Sequence, residues 1–87
     1  MYFYGMDDFQ EICKQKLIGW YHKYKHIELN GDNVYVVWSC KTLQNFKALL
    51  STDVNGDGVY AEYIFNGDKN ELYEDVYQKT SNTCYKE

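Results

Sequence analysis

The sequence predicts an α+β domain in two layers, with the order helix, three-stranded antiparallel meander, helix (αβββα). Two D-x-x-E spacings, Asp8 with Glu11 and Asp68 with Glu71, match the capping box that opens a helix. Between them lie three segments rich in β-branched and aromatic residues, separated by short turn signals. A chain of 87 residues supports one core, so we expect a single domain over residues 1–87.

The first helix is predicted to begin near residue 8 and to end between His26 and Gly31. Its apolar residues recur at steps of three and four, which places them on one face: Phe9, Ile12, Cys13, Leu17, Trp20 and Tyr24. Residues 1–6 precede this pattern and are predicted to be a frayed leader.

The three strands are predicted over residues 34–40, 46–52 and 59–65. Alternation assigns each strand a core-facing set. These sets are Val34, Val36, Trp38 and Cys40; Phe46, Ala48 and Leu50; and Val59, Ala61, Tyr63 and Phe65. The second helix then presents Leu72, Tyr73, Val76 and Tyr77 to the sheet. The residues expected to be largely buried in one core are Trp20, Val36, Trp38, Leu50, Phe65, Leu72 and Val76.

The stretch "STDVNGDGVYAE", residues 51–62, begins like a calcium loop. Its oxygen-bearing residues fit positions 1, 3 and 5, but position 12, normally a bidentate Glu, falls on Ile64. Asn55-Gly56 and Asp57-Gly58 are also hairpin-turn signals. We therefore predict a turn between strands and no metal site.

His22 and His26 are four residues apart, but without a recognisable third ligand they are interpreted as surface residues.

Composition argues against several functional classes. A net charge of −4 has the wrong sign for neutralising nucleic-acid phosphates. The predicted element order also occurs in double-stranded-RNA-binding domains, but the segment Asp68-Lys69-Asn70-Glu71 is acidic where such a domain needs lysines. No stretch is long and apolar enough for a membrane span. Cys40 is predicted to be an inert core residue, and with no catalytic constellation or cofactor motif we predict a protein that is not an enzyme.

Three candidate contact surfaces remain open. The strand face opposite the predicted core is too apolar for water and is expected to bind a partner through Tyr35, Val37, Leu49, Tyr60 and Ile64. Carboxylates of the predicted second helix are an alternative partner site: Asp68, Glu71, Glu74 and Asp75. A small-ligand or nucleotide-signal site would instead combine aromatic, cationic and amide side chains: Tyr35, Trp38, Lys41 and Gln44.

The runs "CKTLQN", residues 40–45, and "NGDK", residues 66–69, followed by Glu71, carry a family resemblance. Over residues 9–82 the chain resembles a family of small uncharacterised proteins encoded by phages and prophages of Gram-positive bacteria. The resemblance implies a phage product in the cytoplasm of an infected or lysogenic host. We expect a non-enzymatic inhibitor or modulator of a host protein, and one candidate target is a protein of a bacterial defence system. The alternatives are a small-ligand or nucleotide-signal sequestering module and a structural or regulatory homo-oligomer.

Overall fold

One helix lies against one face of a four-stranded antiparallel sheet in the computed structural model, which describes Phe3 and residues 5–86. Helix α1, Met6–Trp20, continues into a π-helical turn, Tyr21–Lys25, and a short 3-10 turn, Gly31–Asn33, precedes the sheet. The strands are β1, Val34–Thr42; β2, Asn45–Thr52; β3, Val59–Asn66; and β4, Glu71–Gln78. Their order in the sheet is β1-β2-β3-β4, so each strand pairs with the next along the chain.

The start of α1 differs from the predicted capping box at Asp8 and Glu11. The helix begins two residues earlier, at Met6, and its N-cap is Gly5, which has no side chain to offer as a cap. Asp7 and Asp8 lie in the first turn, where carboxylates interact favourably with the positive end of the helix dipole. The acidic residues therefore stabilise the helix start through their charge, and the predicted capping box of Asp8 and Glu11 does not form.

A stripe of residues four apart fixes α1 to the sheet: Phe9, Cys13, Leu17 and Tyr21 are fully buried. Residues at this spacing lie one above the other on a helix. The Tyr21 hydroxyl lies 3.2 Å from Thr52 Oγ1 at the end of β2 and donates to Asp57 Oδ2 over 2.5 Å. The helical segment ends at His26, whose φ of 56° is left-handed, and this confirms the predicted end between His26 and Gly31.

The core faces of the second and third strands are confirmed. Their predicted residues are all buried, together with Val34: Phe46, Ala48, Leu50, Val59, Ala61, Tyr63 and Phe65. Phe3 packs edge-on against three rings of this core, with ring centroids 5.4 Å from Phe9 and 4.7 Å from Phe65. Within the predicted leader, residues 1, 2 and 4 lie outside the described residues, and Met6 belongs to α1.

The predicted second helix is wrong, because residues 71–78 form the fourth strand of the sheet. Asn66 Oδ1 accepts hydrogen bonds from the backbone N–H groups of Asp68 and Lys69, which makes a turn where a capped helix was expected. Asn70 then takes a left-handed φ of 52°, which turns the chain into β4. The apolar residues at 72, 73, 76 and 77 have the spacing of a helix and do not alternate, so the strand forms because the segment pairs with β3.

The predicted burial of Trp38 and Cys40 is also wrong, because β1 contains a β-bulge. Val36 pairs with Leu50, but Trp38 pairs with Leu49, so Val37 is an extra residue in the ladder. One inserted residue exchanges the two faces for the rest of a strand. Trp38 and Cys40 are consequently exposed, and Ser39 faces the helix, where its Oγ accepts a hydrogen bond from Gln10 Nε2 over 2.8 Å.

Candidate functional site

The sheet face that α1 does not cover, called the open face below, is built from three rows of directly paired residues. The rows follow from the strand register: Tyr35, Ser51, Tyr60 and Tyr77; Trp38, Leu49, Glu62 and Asp75; Cys40, Lys47, Ile64 and Tyr73. Each row crosses all four strands, and neighbouring positions in a row are about 5 Å apart. The open face is therefore a continuous surface made by the whole sheet.

Large aromatic side chains are the main feature of the open face. About half of the side-chain surface is exposed at Tyr35 (50 %), Trp38 (42 %), Tyr73 (53 %) and Tyr77 (52 %). Single exposed apolar residues are common on proteins, but a contiguous group of large ones is typical of a contact site. Tyrosine and tryptophan supply much contact area with few rotatable bonds, which is why they are enriched at the centres of interfaces.

Acidic residues occupy the middle of this aromatic surface. Glu62 and Asp75 are directly opposite each other on β3 and β4. Like charges at such a pair are destabilising unless a cation offsets them. Lys47 Nζ lies 3.6 Å from Glu62 Oε2 and 5.9 Å from the Trp38 ring centroid, so it compensates one of the two carboxylates. The region around Asp75 is left acidic and bordered by Tyr73 and Tyr77.

The residues predicted for the apolar partner surface are largely brought together. Tyr35, Leu49, Tyr60 and Ile64 all lie on the open face, and Val37, 46 % exposed, is the bulged residue of β1. Sequence reasoning missed three further aromatic residues of this face, Trp38, Tyr73 and Tyr77. Trp38 was assigned to the core because the bulge is not visible in the alternation. The two tyrosines were assigned to a helix, although their spacing with Asp75 has the period of two that a strand requires.

The alternative ligand set is separated by the fold. Tyr35 and Trp38 lie on the open face, whereas Lys41 pairs with Phe46 beyond the bulge and its Nζ lies 5.6 Å from the Phe46 ring centroid. Gln44 lies in the turn between β1 and β2, where its side-chain amide donates to Asp68. These four side chains do not surround one concavity.

The alternative acidic helix does not exist, and its carboxylates are separated. Asp68 lies in the turn before β4 and accepts from Gln44. Glu71 accepts from the Tyr73 hydroxyl on its own strand. Glu74 accepts from the buried Tyr63 hydroxyl over 2.6 Å, whereas Asp75 lies on the open face. Alternation along a strand, in place of the period of a helix, is the reason that Glu74 and Asp75 point to opposite sides.

The calcium-like loop is the connection between β2 and β3. Gly56 and Gly58 take φ values of 80° and 62°, which favour glycine. Asp53 accepts from the Asn33 side chain, while Asp57 accepts from Tyr21 and from the Val59 N–H. Within the described residues, no group of three or more His, Cys, Asp or Glu side chains is arranged to hold a metal ion. Of the two histidines, His22 pairs with Glu28, and His26 ends the helical segment.

The groups whose acidity the fold changes are all shifted towards their neutral forms. Burial raises the pKa of the Cys13 thiol to about 12. Burial, helped by the hydrogen bond to Asp57, raises the pKa of Tyr21 to about 12. Burial and then the hydrogen bond to Glu74 raise the pKa of Tyr63. A protonated buried thiol or phenol is a poor nucleophile and a poor base, so these groups act as packing and hydrogen-bonding elements.

The chain belongs to a family of unknown function, DUF6275, whose model matches residues 10–87. No curated protein and no solved structure matches the chain. In the part of the chain that the structure describes, no helix has both the length and the apolar character needed to cross a membrane.

Proposed function

We propose that this DUF6275 protein is a non-enzymatic, phage-encoded binding protein that modulates a host protein by covering part of its surface with the open face. The proposed place of action is the cytoplasm of the infected or lysogenic host, as the resemblance over residues 9–82 implies. The observation that carries the proposal is the group of half-exposed aromatic side chains on the open face, Tyr35, Trp38, Tyr73 and Tyr77.

A protein partner suits this surface because the half-exposed aromatic residues lie on the two edge strands, β1 and β4, and so span the width of the sheet. They occupy three successive rows of the sheet, a breadth that matches a protein interface better than a pocket for one small molecule. The unevenly compensated pair Glu62 and Asp75 further favours a partner that presents positive charge, above all arginine. A guanidinium group can bind a carboxylate through two hydrogen bonds and stack on a tyrosine ring at the same time.

The non-enzymatic part of the proposal is supported by the state of the reactive side chains. The Cys13 thiol is fully buried, and its raised pKa keeps it protonated. Tyr21 and Tyr63 use their hydroxyl groups within the fold, on Asp57 and Glu74.

The proposal is tested by quantitative affinity capture from host lysate, using four baits in parallel. These are the parent protein, Trp38→Glu, Tyr77→Glu and the matched control Tyr24→Glu. Tyr24 is 59 % exposed on the helical segment, so its substitution adds the same charge away from the open face. We expect one host protein to be enriched by the parent and by Tyr24→Glu, and to fall to background with both open-face variants, because the added carboxylate has to be desolvated at the interface.

Light scattering on the same four proteins separates a host partner from self-association. The proposal predicts that all four are monomers. A parent dimer that Trp38→Glu and Tyr77→Glu dissociate would show that a second copy covers the open face and would overturn the host-partner proposal. Equal capture by all four baits would place the contact elsewhere.

A further inference from the structure

A cavity of about 420 Å³ lies at one end of the open face, beside the loop between β2 and β3. Residues of all four strands or their ends contribute to its lining, and the segment that follows β4 closes one side. The side chains that line the cavity include Tyr35, Ser51, Tyr60, Lys79, Ser81 and Asn82. The volume falls within the range of about 300 to 1,000 Å³ that is usual for small-molecule sites.

Tyr35 and Tyr60 flank Ser51 in the lining of this cavity, and the space between these two tyrosines is called the slot below. Tyr35 on β1 and Tyr60 on β3 both pair directly with Ser51 on the intervening strand β2. Two strand spacings separate their Cα atoms, which is about 9.5 Å. A planar ring in contact with both tyrosine rings needs about 7 to 8 Å between them. Ser51 is small and uses its hydroxyl to donate to the Val59 carbonyl over 3.0 Å, so it forms a low floor between the two rings.

No other aromatic ring of the described residues occupies the slot between Tyr35 and Tyr60. Among the residues that the structure describes, neither Tyr35 nor Tyr60 is in contact with another aromatic ring. Lys79 Nζ lies 5.6 Å from the Tyr60 ring centroid and so brings a positive charge to the edge of the slot. Of the described lining residues, Lys79 and Asp57 carry charge, and Asp57 already accepts hydrogen bonds from Tyr21 and the Val59 N–H.

The segment after β4 is attached to the loop between β2 and β3 at its first residue, Lys79. The Lys79 N–H donates to the Gly58 carbonyl over 2.8 Å, and the Gln78 side-chain amide donates to the Asp57 carbonyl. The contact is close: a Cβ atom at Gly58 would lie 2.8 Å from Lys79 Cβ. Together with the positive φ at Gly58, this leaves room only for glycine at that position. The backbone of Lys79 is thereby held next to Gly58.

We propose that this cavity binds a small molecule with a planar heteroaromatic ring and an anionic group, of which a free nucleoside monophosphate is the simplest example. The ring stacks between Tyr35 and Tyr60, Lys79 pairs with the anionic group, and Ser81 and Asn82 offer hydrogen bonds to the polar edge of the ring. A mononucleotide fits better than a nucleic-acid strand, because the lining provides a single cation and the net charge of the chain is −4.

The test is isothermal titration calorimetry of the parent protein with AMP, GMP, CMP and UMP, each at up to about 5 mM. We expect saturable binding of at least one nucleotide, with a purine preferred because its larger ring covers more of both tyrosines. Tyr60→Leu should weaken the binding about tenfold or more through the loss of stacking. Lys79→Gln should weaken binding of the nucleotide and leave binding of the matching nucleoside unchanged.

Tyr24→Leu is the matched control, since Tyr24 is exposed on the helical segment and belongs neither to the open face nor to the cavity lining. It should bind nucleotide as the parent does. Circular dichroism checks that each variant folds. If Tyr60→Leu does not fold, Tyr35→Leu replaces it, because Tyr35 is half-exposed. The proposal is overturned if none of the four nucleotides binds saturably, or if Lys79→Gln and the tyrosine variants bind as the control does. Because these variants differ from Trp38→Glu and Tyr77→Glu, its failure leaves the host-partner proposal standing.

Discussion

Buried thiol and phenol groups at three positions, Cys13, Tyr21 and Tyr63, are held neutral by the fold. Burial is the main cause that raises the pKa of each group. Because a thiol or phenol is neutral when protonated, a raised pKa means that the folded state disfavours the anion. Below the unfolded-state pKa, 9.0 for a cysteine and 10.0 for a tyrosine, both states are protonated and folding is unaffected. Above it, the unfolded state loses the proton first, so stability falls as pH rises.

At the residue scale we therefore predict an alkaline loss of stability with a defined onset. The melting temperature should be level between about pH 7 and 8.5 and should fall steadily from about pH 9 towards 12, since the pKa values of Cys13 and Tyr21 are raised to about 12. Cys13→Ala should melt lower at pH 7, because it removes buried volume, but its decline should begin about one pH unit later. Scanning calorimetry across this range makes the comparison. An identical onset in parent and variant would show that Cys13 does not ionise on unfolding as described.

Single residues also show what the sequence could reveal. The stripe Phe9, Cys13 and Leu17 was predictable because, together with Ile12 and Trp20, it recurs at steps of three and four, which gives one face of a helix but both faces of a strand. The exposure of Trp38 could not be predicted, because it depends on a one-residue bulge at Val37. No residue in this run of branched and aromatic side chains marks the position of the bulge. The burial of Tyr21 was also missed, because a polar hydroxyl makes a tyrosine compatible with either a buried or an exposed position. Here the ring is fully buried and the hydroxyl lies near Thr52.

Strand β4 is the element that most changes the account of the molecule. As a helix it would have covered the sheet, but as a strand it adds Tyr73, Asp75 and Tyr77 to the open face. Its sequence favours a helix, because the apolar pairs at 72 and 73 and at 76 and 77 recur every four residues and do not alternate with polar residues as in a half-buried strand. Long-range pairing decides: Tyr63 on β3 is fully buried, and its hydroxyl bonds to Glu74 of β4.

The link between β3 and β4 leads to a prediction with a built-in control. Tyr63→Phe removes the donor to Glu74 and should lower the free energy of unfolding by about 1 to 3 kcal/mol, because the carboxylate loses a charge-assisted hydrogen bond from a buried hydroxyl. Tyr73→Phe removes the same atom from an exposed tyrosine that donates to Glu71, and it should leave the stability nearly unchanged. Urea unfolding of both variants provides the measurement. Equal effects of the two substitutions would mean that the Tyr63–Glu74 contact does not couple these strands.

At the scale of the whole molecule, the arrangement of layers explains where function can reside. Within the described residues, a single helix packs on β1 and β2 and covers one side of the sheet, and no second layer buries the aromatic residues of the opposite side. Four of the five residues predicted for that surface do lie on it, because the strand alternation in β2 and β3 was correctly identified. The extent of the surface could not be predicted, since its remaining aromatic residues depend on the bulge in β1 and on the strand nature of β4.

The central claim, that the open face contacts a host protein, is tested most directly by site-specific photo-crosslinking in host cells. A photoreactive phenylalanine analogue is placed singly at Tyr73 or Tyr77 on the open face, and at Lys16, an exposed position of α1, as the control. The account predicts one and the same host protein crosslinked from both open-face positions, none from Lys16, and loss of the product when Trp38→Glu is added. Crosslinks from Lys16 alone, a product made of two copies of this chain, or no product from either open-face position would contradict it.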